Sequence, residues 1–396
     1  MSHILILGDI HLGKSILIGR VGVGASLNSR ITDQLNLLEW TLDRAIESGI
    51  DDIIITGDVF EDPKPHPSLI TLFISWLKKC QVHNINIHII AGNHDILRSG
   101  IHLFSPLDII SEMDLENINV YKNLNTIIID KTAITLMPFR DRKSLGCDSN
   151  IKALDLLKKS LIYELAGIPV TYHKVLVGHL AIEGSIPVGD EIDDLSDVLF
   201  CPLEMFRGYH QVWMGHVHKP QVLKKSPYIA HIGSMDISNF GETDQKKHIV
   251  IIDCENGKFT TEYLPTRPLK RISVSIPPDV KDTTDYIIKE LEKIGDFDRS
   301  IVRVEVSLTS TDLKSVDKST VDKFLYSQGV FNVAGISESK KAALIKKDKN
   351  NIIDTKMDIV SAIKTYSQTY VDEKQRSNFI ETAMDIYNLY KAEAKE

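Results

Sequence analysis

Five short apolar runs, each passing through a glycine into residues able to hold a metal, constrain this chain more than any other feature. The run at 4–7 leads into Gly8-Asp9-Ile10-His11, and that at 53–55 into Gly57-Asp58. The run at 87–91 leads into Gly92-Asn93-His94-Asp95, that at 175–177 into Gly178-His179, and that at 212–214 into Gly215-His216-Val217-His218. Runs of this kind read as buried strands. Ligand-binding residues of α/β sheets gather beyond the carboxyl ends of the strands, so the five motifs are expected on one rim. Between the runs, Ile31, Leu35, Leu38, Leu42, Ala45 and Ile46 recur at helical spacing, with Gly49 placed to stop the helix. Leu69, Leu72, Phe73, Trp76, Leu77 and Cys80 repeat the pattern after Ser68. Strands alternating with helices predict a mixed α/β sandwich.

The motif side chains suit two divalent ions. Asp9, His11, Asp58, Asn93, His179, His216 and His218 are enough for two sites if one carboxylate bridges, and Asp58, flanked in sequence by contributors to both, is the natural bridge. Ions ~3.5–4 Å apart can clamp a phosphate, lower the pKa of a bridging water and supply a hydroxide nucleophile. Carboxylates at Asp9 and Asp58 leave such a centre net positive, which suits a phosphodiester. Glycine before each motif lets the backbone turn sharply and keeps the metal-facing side uncrowded. No cysteine takes part, and mixed oxygen and nitrogen donors suit manganese, zinc, iron or nickel. His94 stands apart because Asn93 is the better ligand candidate. It is placed to stabilise the transition state or protonate the leaving oxygen, with Asp95 as an acceptor that orients a histidine. His3, His66, His83, His88, His102, His173, His210 and His248 read as structural. His231, before Gly233-Ser234, fits a strand residue and a contact at the site's edge equally well.

One motif match points elsewhere and fails. Residues 8–15 fit the phosphate-loop pattern GxxxxGK[ST]. A phosphate cradle works through backbone N–H groups, and Asp9 would set a negative charge among the phosphates. The glycines that follow run to Ser29 before a helix begins. A formal charge of −8, from 46 basic and 54 acidic residues, excludes a generic polybasic nucleic-acid coat. It leaves room for a local basic groove or a metal centre that attracts phosphate. Cys80, Cys147, Cys201 and Cys254 form no CxxC pair and read as reduced, buried thiols. The N-terminus lacks the features of a signal peptide, and no apolar run approaches the ~20 residues that span a bilayer. A soluble, cytoplasmic protein with no membrane association is expected.

At 396 residues the chain has room for two or three domains. Residues 1–264 hold all five motifs, and Pro265-Thr266-Arg267-Pro268 closes that region. In 265–336, alternation of Val302, Val304, Val306 and Leu308 with polar residues reads as a half-buried strand. Helical stretches near 283–294 and 316–328 flank it, so this part is a small α/β cap. Residues 337–354 form a connector with Lys340, Lys341, Lys346, Lys347 and Lys349, and 355–396 a helical tail. Ile359, Val360, Ile363, Tyr366 and Tyr370 share one helical face, as do Phe379, Ala383, Ile386, Tyr387 and Tyr390. Amphipathic helices on a mobile tether suit docking on a helical partner. The alternatives are packing on the protein's own core and pairing in a homodimer.

In this order the motifs resemble those of the calcineurin-like metallophosphoesterase superfamily. Gly57-Asp58-Val59-Phe60 with Pro65 after it, Ile232-Gly233-Ser234 through Phe240-Gly241-Glu242, and the Pro265–Pro268 exit look more narrowly like the SbcD / meiotic-recombination-eleven nuclease family. That resemblance implies a β-sandwich flanked by helices, with a cap and a C-terminal helical segment. It implies Asp9, His11, Asp58 and His218 on one metal, Asp58, Asn93, His179 and His216 on the other, and His94 as the catalytic histidine. Many members carry a histidine directly after GDxF, where this chain has Glu61. The implied activity is manganese-dependent exonuclease and endonuclease action on DNA ends, in recombination and double-strand-break repair. The implied partner is a coiled-coil SbcC-type ATPase bound through the C-terminal helices, in a bacterial or phage-infected cell. A phosphatase or small-phosphodiester hydrolase would use the same metals but has no evident need of residues beyond 265. A non-catalytic scaffold has no reason to keep all seven ligand candidates and His94.

Overall fold

The computed structural model describes residues 2–22, 24, 26–99, 102–188, 198–309, 313–340, 360, 363, 367 and 376–393. The chain divides into two compact units, 1–276 with 280–307 and 314–339, and 277–279 with 308–313 and 340–396.

The first unit opens with β1 (His3–Leu7), α1 (Ser29–Ser48), β2 (Asp52–Ile55), α2 (Pro67–Val82), β3 (Asn86–Ile90) and β4 (Ile118–Tyr121). It continues with β5 (Asn125–Ile129), β6 (Thr132–Met137), α3 (Asn150–Ala166), β7 (His173–Gly178) and β8 (Gln211–Met214). The hairpins β9 (Gln221–Lys225) with β10 (Tyr228–His231), and β11 (His248–Asp253) with β12 (Phe259–Tyr263), complete the layers. One six-stranded sheet has the order β12-β11-β1-β2-β3-β4, the other β9-β10-β8-β7-β6-β5. Strands β1 to β4 are parallel neighbours, as are β6, β7, β8 and β10, and antiparallel strands complete each sheet. Parallel pairing is what sends the carboxyl ends to one rim.

Strand alternation sets the layers. Ile4, Ile6, Ile54 and Ile90 point between the sheets, against Leu136, Val175, Val177 and Trp213 of the second sheet. Leu5, Leu7, Ile53, Ile55, Ile87 and Ile89 point the other way, onto Leu38, Leu42, Phe73, Trp76 and Leu77 of α1 and α2. Leu176 and Val212 meet Ala153, Leu157 and Leu161 of α3. Burial on both faces explains why β2 reads as an unbroken apolar run. The predicted helices appear with identifiable caps. The Asn28 side chain accepts from the Arg30 N–H at the start of α1, and Gly49 closes it at φ 62°. His66 caps α2, where Pro67 opens the helix.

The cap comprises β13 (Leu269–Ile276), α4 (Thr283–Ile294), β14 (Ile301–Leu308), α5 (Lys318–Ser327) and β15 (Asn332–Lys340), with sheet order β13-β14-β15. Strand β15 takes in the first residues of the stretch read as a connector. Ile237 and Phe240 pack on Leu269 and Ile301 of the cap. Beside them Arg267 bonds both oxygens of Asp33, at 2.6 and 2.8 Å. The buried Arg30 guanidinium donates to Asp33 and Asp236. In the second unit α6 (Arg376–Glu393) is helical, with Phe379, Ala383 and Tyr387 half-buried. The side chains of Ile386 and Tyr390, connector residues 341–354, and most of 355–371 lie outside the described residues; Val360 and Ile363 are helical. No described helix is long and apolar enough to cross a membrane.

Ile54 is fully enclosed between the two sheets. Ile54→Ala should lower unfolding free energy by about 2–5 kcal/mol, the usual cost of emptying a core isoleucine site. Urea denaturation checks this: the midpoint should fall while the slope stays unchanged.

Candidate metal centre

Every sequence-predicted ligand is brought to one rim. Asp9 and His11 follow β1, Asp58 follows β2, Asn93 follows β3, His179 follows β7, and His216 and His218 follow β8. Ligand atoms of Asp9, His11 and His218 lie within 4.8 Å of one another, as do those of Asp58, His179 and His216.

Asp9 joins the two sheets. Its Oδ1 accepts from Thr56 Oγ1 at 2.7 Å, after β2, and its Oδ2 from the His216 N–H at 2.6 Å, after β8. Asp58 faces both histidine groups, with Oδ2 3.2 Å from His179 Nε2 and 3.5 Å from His11 Nε2. Its other oxygen accepts from the His94 N–H at 2.8 Å. Asn93 Oδ1 lies 2.9 Å from His179 Nε2 and 2.8 Å from His216 Nδ1. His11 Nε2 and His218 Nε2 face each other at 2.9 Å.

The backbone is bent to make this possible. His11, Asp58 and His216 adopt φ of 48°, 45° and 77°, a region that costs non-glycine residues about 1–3 kcal/mol and that clusters at functional sites. The glycines are needed because carboxylates press on them. A Cβ on Gly92 would sit 2.1 Å from Asp58 Oδ1, and one on Gly215 2.2 Å from Asp9 Oδ1.

The electrostatics suit cations. Burial works to raise the pKa of Asp9, but the charge and hydrogen bond of His179 outweigh it and bring Asp9 to about 2. Asp58 is likewise held well below the usual carboxylate range, burial being outweighed by His179 and His94. Burial pushes His11 down to about 4, helped by Lys14, and His216 down to about 3, helped by His179. His179 moves the opposite way. Burial opposes its charge, yet Asp58 and Asp9 raise it well above 6.5. His216 Nε2 is buried without a hydrogen-bond partner among the described residues. A buried donor set of carboxylate, amide and imidazole with such an orphaned nitrogen fits divalent cations.

Other predicted residues divide. His94 is only half-buried, and its Nδ1 lies 2.7 Å from the Glu61 carbonyl oxygen, to which it donates. That leaves Nε2 for other work. Among the described residues Asp95 orients no histidine, contrary to expectation: it accepts from the N–H groups of Val59, Phe60 and Gly92 and so clamps two motif loops together. Burial, then the charge of Asp58, raises it to about 7. His231 braces the rim, with Nδ1 3.0 Å from the Gly215 carbonyl oxygen and Nε2 3.0 Å from Ser185 Oγ. Lys14 reaches Glu61 at 3.3 Å, and α1 begins only at Ser29, so no phosphate loop forms. Sequence reasoning missed Thr56 and the carboxylates behind the histidines. Glu61 Oε2 lies 2.7 Å from His11 Nδ1, and Glu242 Oε1 3.6 Å from His218 Nδ1. The Glu61 departure and the Phe240-Gly241-Glu242 signature were the available signals.

Residues 2–220 match the family model for the calcineurin-like phosphoesterases. The chain belongs to that family. Among curated relatives, this phosphoesterase is 26% identical over 275 residues to the SbcD component of the SbcCD nuclease of Staphylococcus saprophyticus, covering 67% of this chain and 69% of the relative. It is 26% identical over 306 residues to the SbcD component of Staphylococcus epidermidis, covering 75% and 78%. It is 25% identical over 231 residues to the DNA double-strand break repair protein Mre11 of Methanopyrus kandleri, covering 56% and 44%. The phosphoesterase is thus a metal-dependent hydrolase similar to nucleases of the SbcD and Mre11 kind.

A metal-ligating imidazole must be neutral, so metal binding displaces protons from ligands that carry them. His179, raised well above 6.5, carries its proton near neutrality in the metal-free protein, whereas His11 and His216 are already neutral. Manganese titration should therefore release protons, and affinity should rise with pH through neutrality. Calorimetry in buffers of different ionisation enthalpy measures this; heats independent of buffer would contradict it.

Proposed function

We propose that this phosphoesterase is the nuclease component of a DNA-end-processing complex, hydrolysing DNA phosphodiesters with two manganese ions in recombination and double-strand-break repair. The observation that supports the reading is Asp58 Oδ2, 3.2 Å from His179 and 3.5 Å from His11, within reach of both groups of ligand candidates, so that one carboxylate would serve two ions. Asp9, His11, Asp58 and His218 would hold one ion, and Asp58, Asn93, His179 and His216 the other. Bound there, the ions would supply Lewis acidity toward the phosphate and a hydroxide nucleophile at neutral pH. The preference for manganese rests on mixed oxygen and nitrogen donors without sulfur.

The protein's own part falls to His94. With Nδ1–H donated to the Glu61 carbonyl oxygen, the ring is fixed in orientation and its Nε2 is the working nitrogen. A proton on Nε2 makes the ring a cation, suited to a phosphate oxygen gaining charge or to a departing oxygen that needs protonation. The partner on this reading is an SbcC-type coiled-coil ATPase engaged by the tail, and the setting is the cytoplasm. The names of the relatives support DNA and an SbcC component as partner, and the helical spacing of apolar residues in the tail sequence supports the docking.

Linear DNA should be degraded in manganese. Rapid cleavage of a mononucleotide phosphodiester with DNA left intact would favour a small-substrate hydrolase instead. Asp58→Ala should lose both ions, because a shared ligand serves two. His94→Ala should keep both and lose about 10²–10⁴-fold in turnover, the usual reach of one proton-transferring group. Metal analysis of both variants decides between the roles, since loss of metal from the His94 variant would make it a ligand.

Truncation at Asn350 should leave a folded protein that retains metal-dependent activity on small phosphodiesters but no longer co-purifies with the ATPase. Retention at full strength, or unfolding, would refute tail docking.

A further inference from the structure

The two halves of the centre differ in what stands behind their histidines. Behind His11 is Glu61, whose Oε2 is 2.7 Å from Nδ1 and 3.3 Å from the Lys14 ammonium. Behind His218 is Glu242, whose Oε1 is 3.6 Å from Nδ1, an ion-pair rather than a hydrogen-bond distance. Glu242 in turn meets Lys247 at 2.7 Å, with both side chains at 0% exposure. Lys247 also donates to the His218 carbonyl oxygen and to Gln245 Oε1, each at 2.8 Å. Ser238 Oγ and Asn239 Nδ2 complete the shell of Glu242, at 2.6 and 2.9 Å. One histidine–glutamate–lysine chain therefore comes from the first two motif loops, and a second from the segment after β10. They converge on the two histidines of the same half.

Among the described residues, no such glutamate–lysine chain stands behind the histidines of the other half. His179 Nδ1 lies 3.0 Å from the Thr56 carbonyl oxygen. Asp9 Oδ1, 3.5 Å from that nitrogen, already accepts from Thr56 and is itself a ligand candidate. His216 Nδ1 meets the amide oxygen of Asn93, which stands where the first half has the Asp9 carboxylate. A carboxylate behind a metal-ligating imidazole fixes its orientation and raises its basicity, and losing one typically costs 10–100-fold in metal affinity. Burial strengthens the effect, because the charge of Glu242 is little screened.

We propose that Glu61–Lys14 and Glu242–Lys247 are positioning pairs that make the Asp9–His11–His218 half the tight one, so the centre fills in order and the Asn93–His179–His216 half exchanges its ion. The inference rests on the two-ion reading above. The test titrates metal-free protein with manganese alone, counting free ion by electron paramagnetic resonance and following the melting temperature.

Wild type should show two separated affinity classes. Glu61→Gln, at a partly exposed position, should weaken the tight class about 10–100-fold and leave the weak class within a factor of about two. Glu242→Gln alone strands Lys247 as a buried charge and can unfold the protein. The double variant Glu242→Gln/Lys247→Met removes both charges and should reproduce the selective loss. Asn93→Ala should abolish the weak class and spare the tight one. Two equal sites in wild type, or a Glu61→Gln variant that leaves the tight class unmoved or shifts both classes alike, would overturn the ordering while the two-ion centre stands. Binding of a single ion by wild type, or two ions retained by Asp58→Ala, would instead overturn the two-ion reading and the ordering with it.

Discussion

Two carboxylates buried against imidazoles are the constraint on which the rest of this structure depends. Asp9 and Asp58 are 0% and 2% exposed, and an ionised carboxylate out of water is expensive unless paired and hydrogen-bonded. The fold meets that demand with Thr56 and the His216 N–H on Asp9, the His94 N–H on Asp58, and His179 between the two. Because Thr56 follows β2 and His216 follows β8, the same carboxylate closes the rim between the two sheets. The Met235 N–H donates to the Asp9 carbonyl oxygen at 2.8 Å and adds a backbone tie across that seam. Chemistry and architecture thus share one residue. Residues that would give a better-packed rim without charge would also leave nothing to hold a cation.

The layers and the ligand set were legible in sequence for a local reason. Strand burial follows a two-residue period and helix burial a 3.6-residue period, so β1 to β3, α1 and α2 announced themselves within a few residues. The strand-end motifs then needed only parallel pairing to meet. What could not be read depends on contacts between segments far apart in sequence. Glu61 reaches His11 because the Leu12 N–H bonds the Val59 carbonyl oxygen and the Glu61 N–H that of Leu12, laying one motif loop alongside the other. Asp95 spends its oxygens on backbone N–H groups, which carry no sequence identity. Lys247, in a run of charges, looks like solvated surface and is instead fully buried.

The cap is tied to the same rim by charge as much as by apolar packing. Arg30, with a side chain at 0% exposure, needs both Asp33 and Asp236 to offset its burial. Asp33 is shared with Arg267 in the cap's entry strap. Removing one member leaves another charged and buried, which typically costs about 3–5 kcal/mol. Asp236 itself is raised by burial, though Arg30 pulls the other way, as befits an acid held by geometry in a dry place. The segment carrying it, just beyond Gly233-Ser234, leads directly to Glu242 behind His218.

The loop between Lys14 and Ser29 is where these threads meet. At one end Lys14 contacts Glu61, and Ser15 Oγ donates to the Ser238 carbonyl oxygen. Further along, Asn332 of the cap donates to the Ile18 carbonyl oxygen at 2.8 Å, and the guanidinium of Arg20 lies 4.1 Å from the Phe331 ring centre. Arg267 lies 3.8 Å from the same ring, so one aromatic side chain of the cap serves a cation from the loop and a cation from the strap. Such contacts contribute about 0.5–2 kcal/mol each. Together they hold the stretch from Lys14 to Arg20, where Gly19 would otherwise leave the backbone many conformations. The stretch that imitated a phosphate loop in sequence is thus fastened at one end to a carboxylate behind a metal-ligand candidate and at the other to the cap. The cap cannot shift on the sandwich without pulling on the segment that carries Lys14.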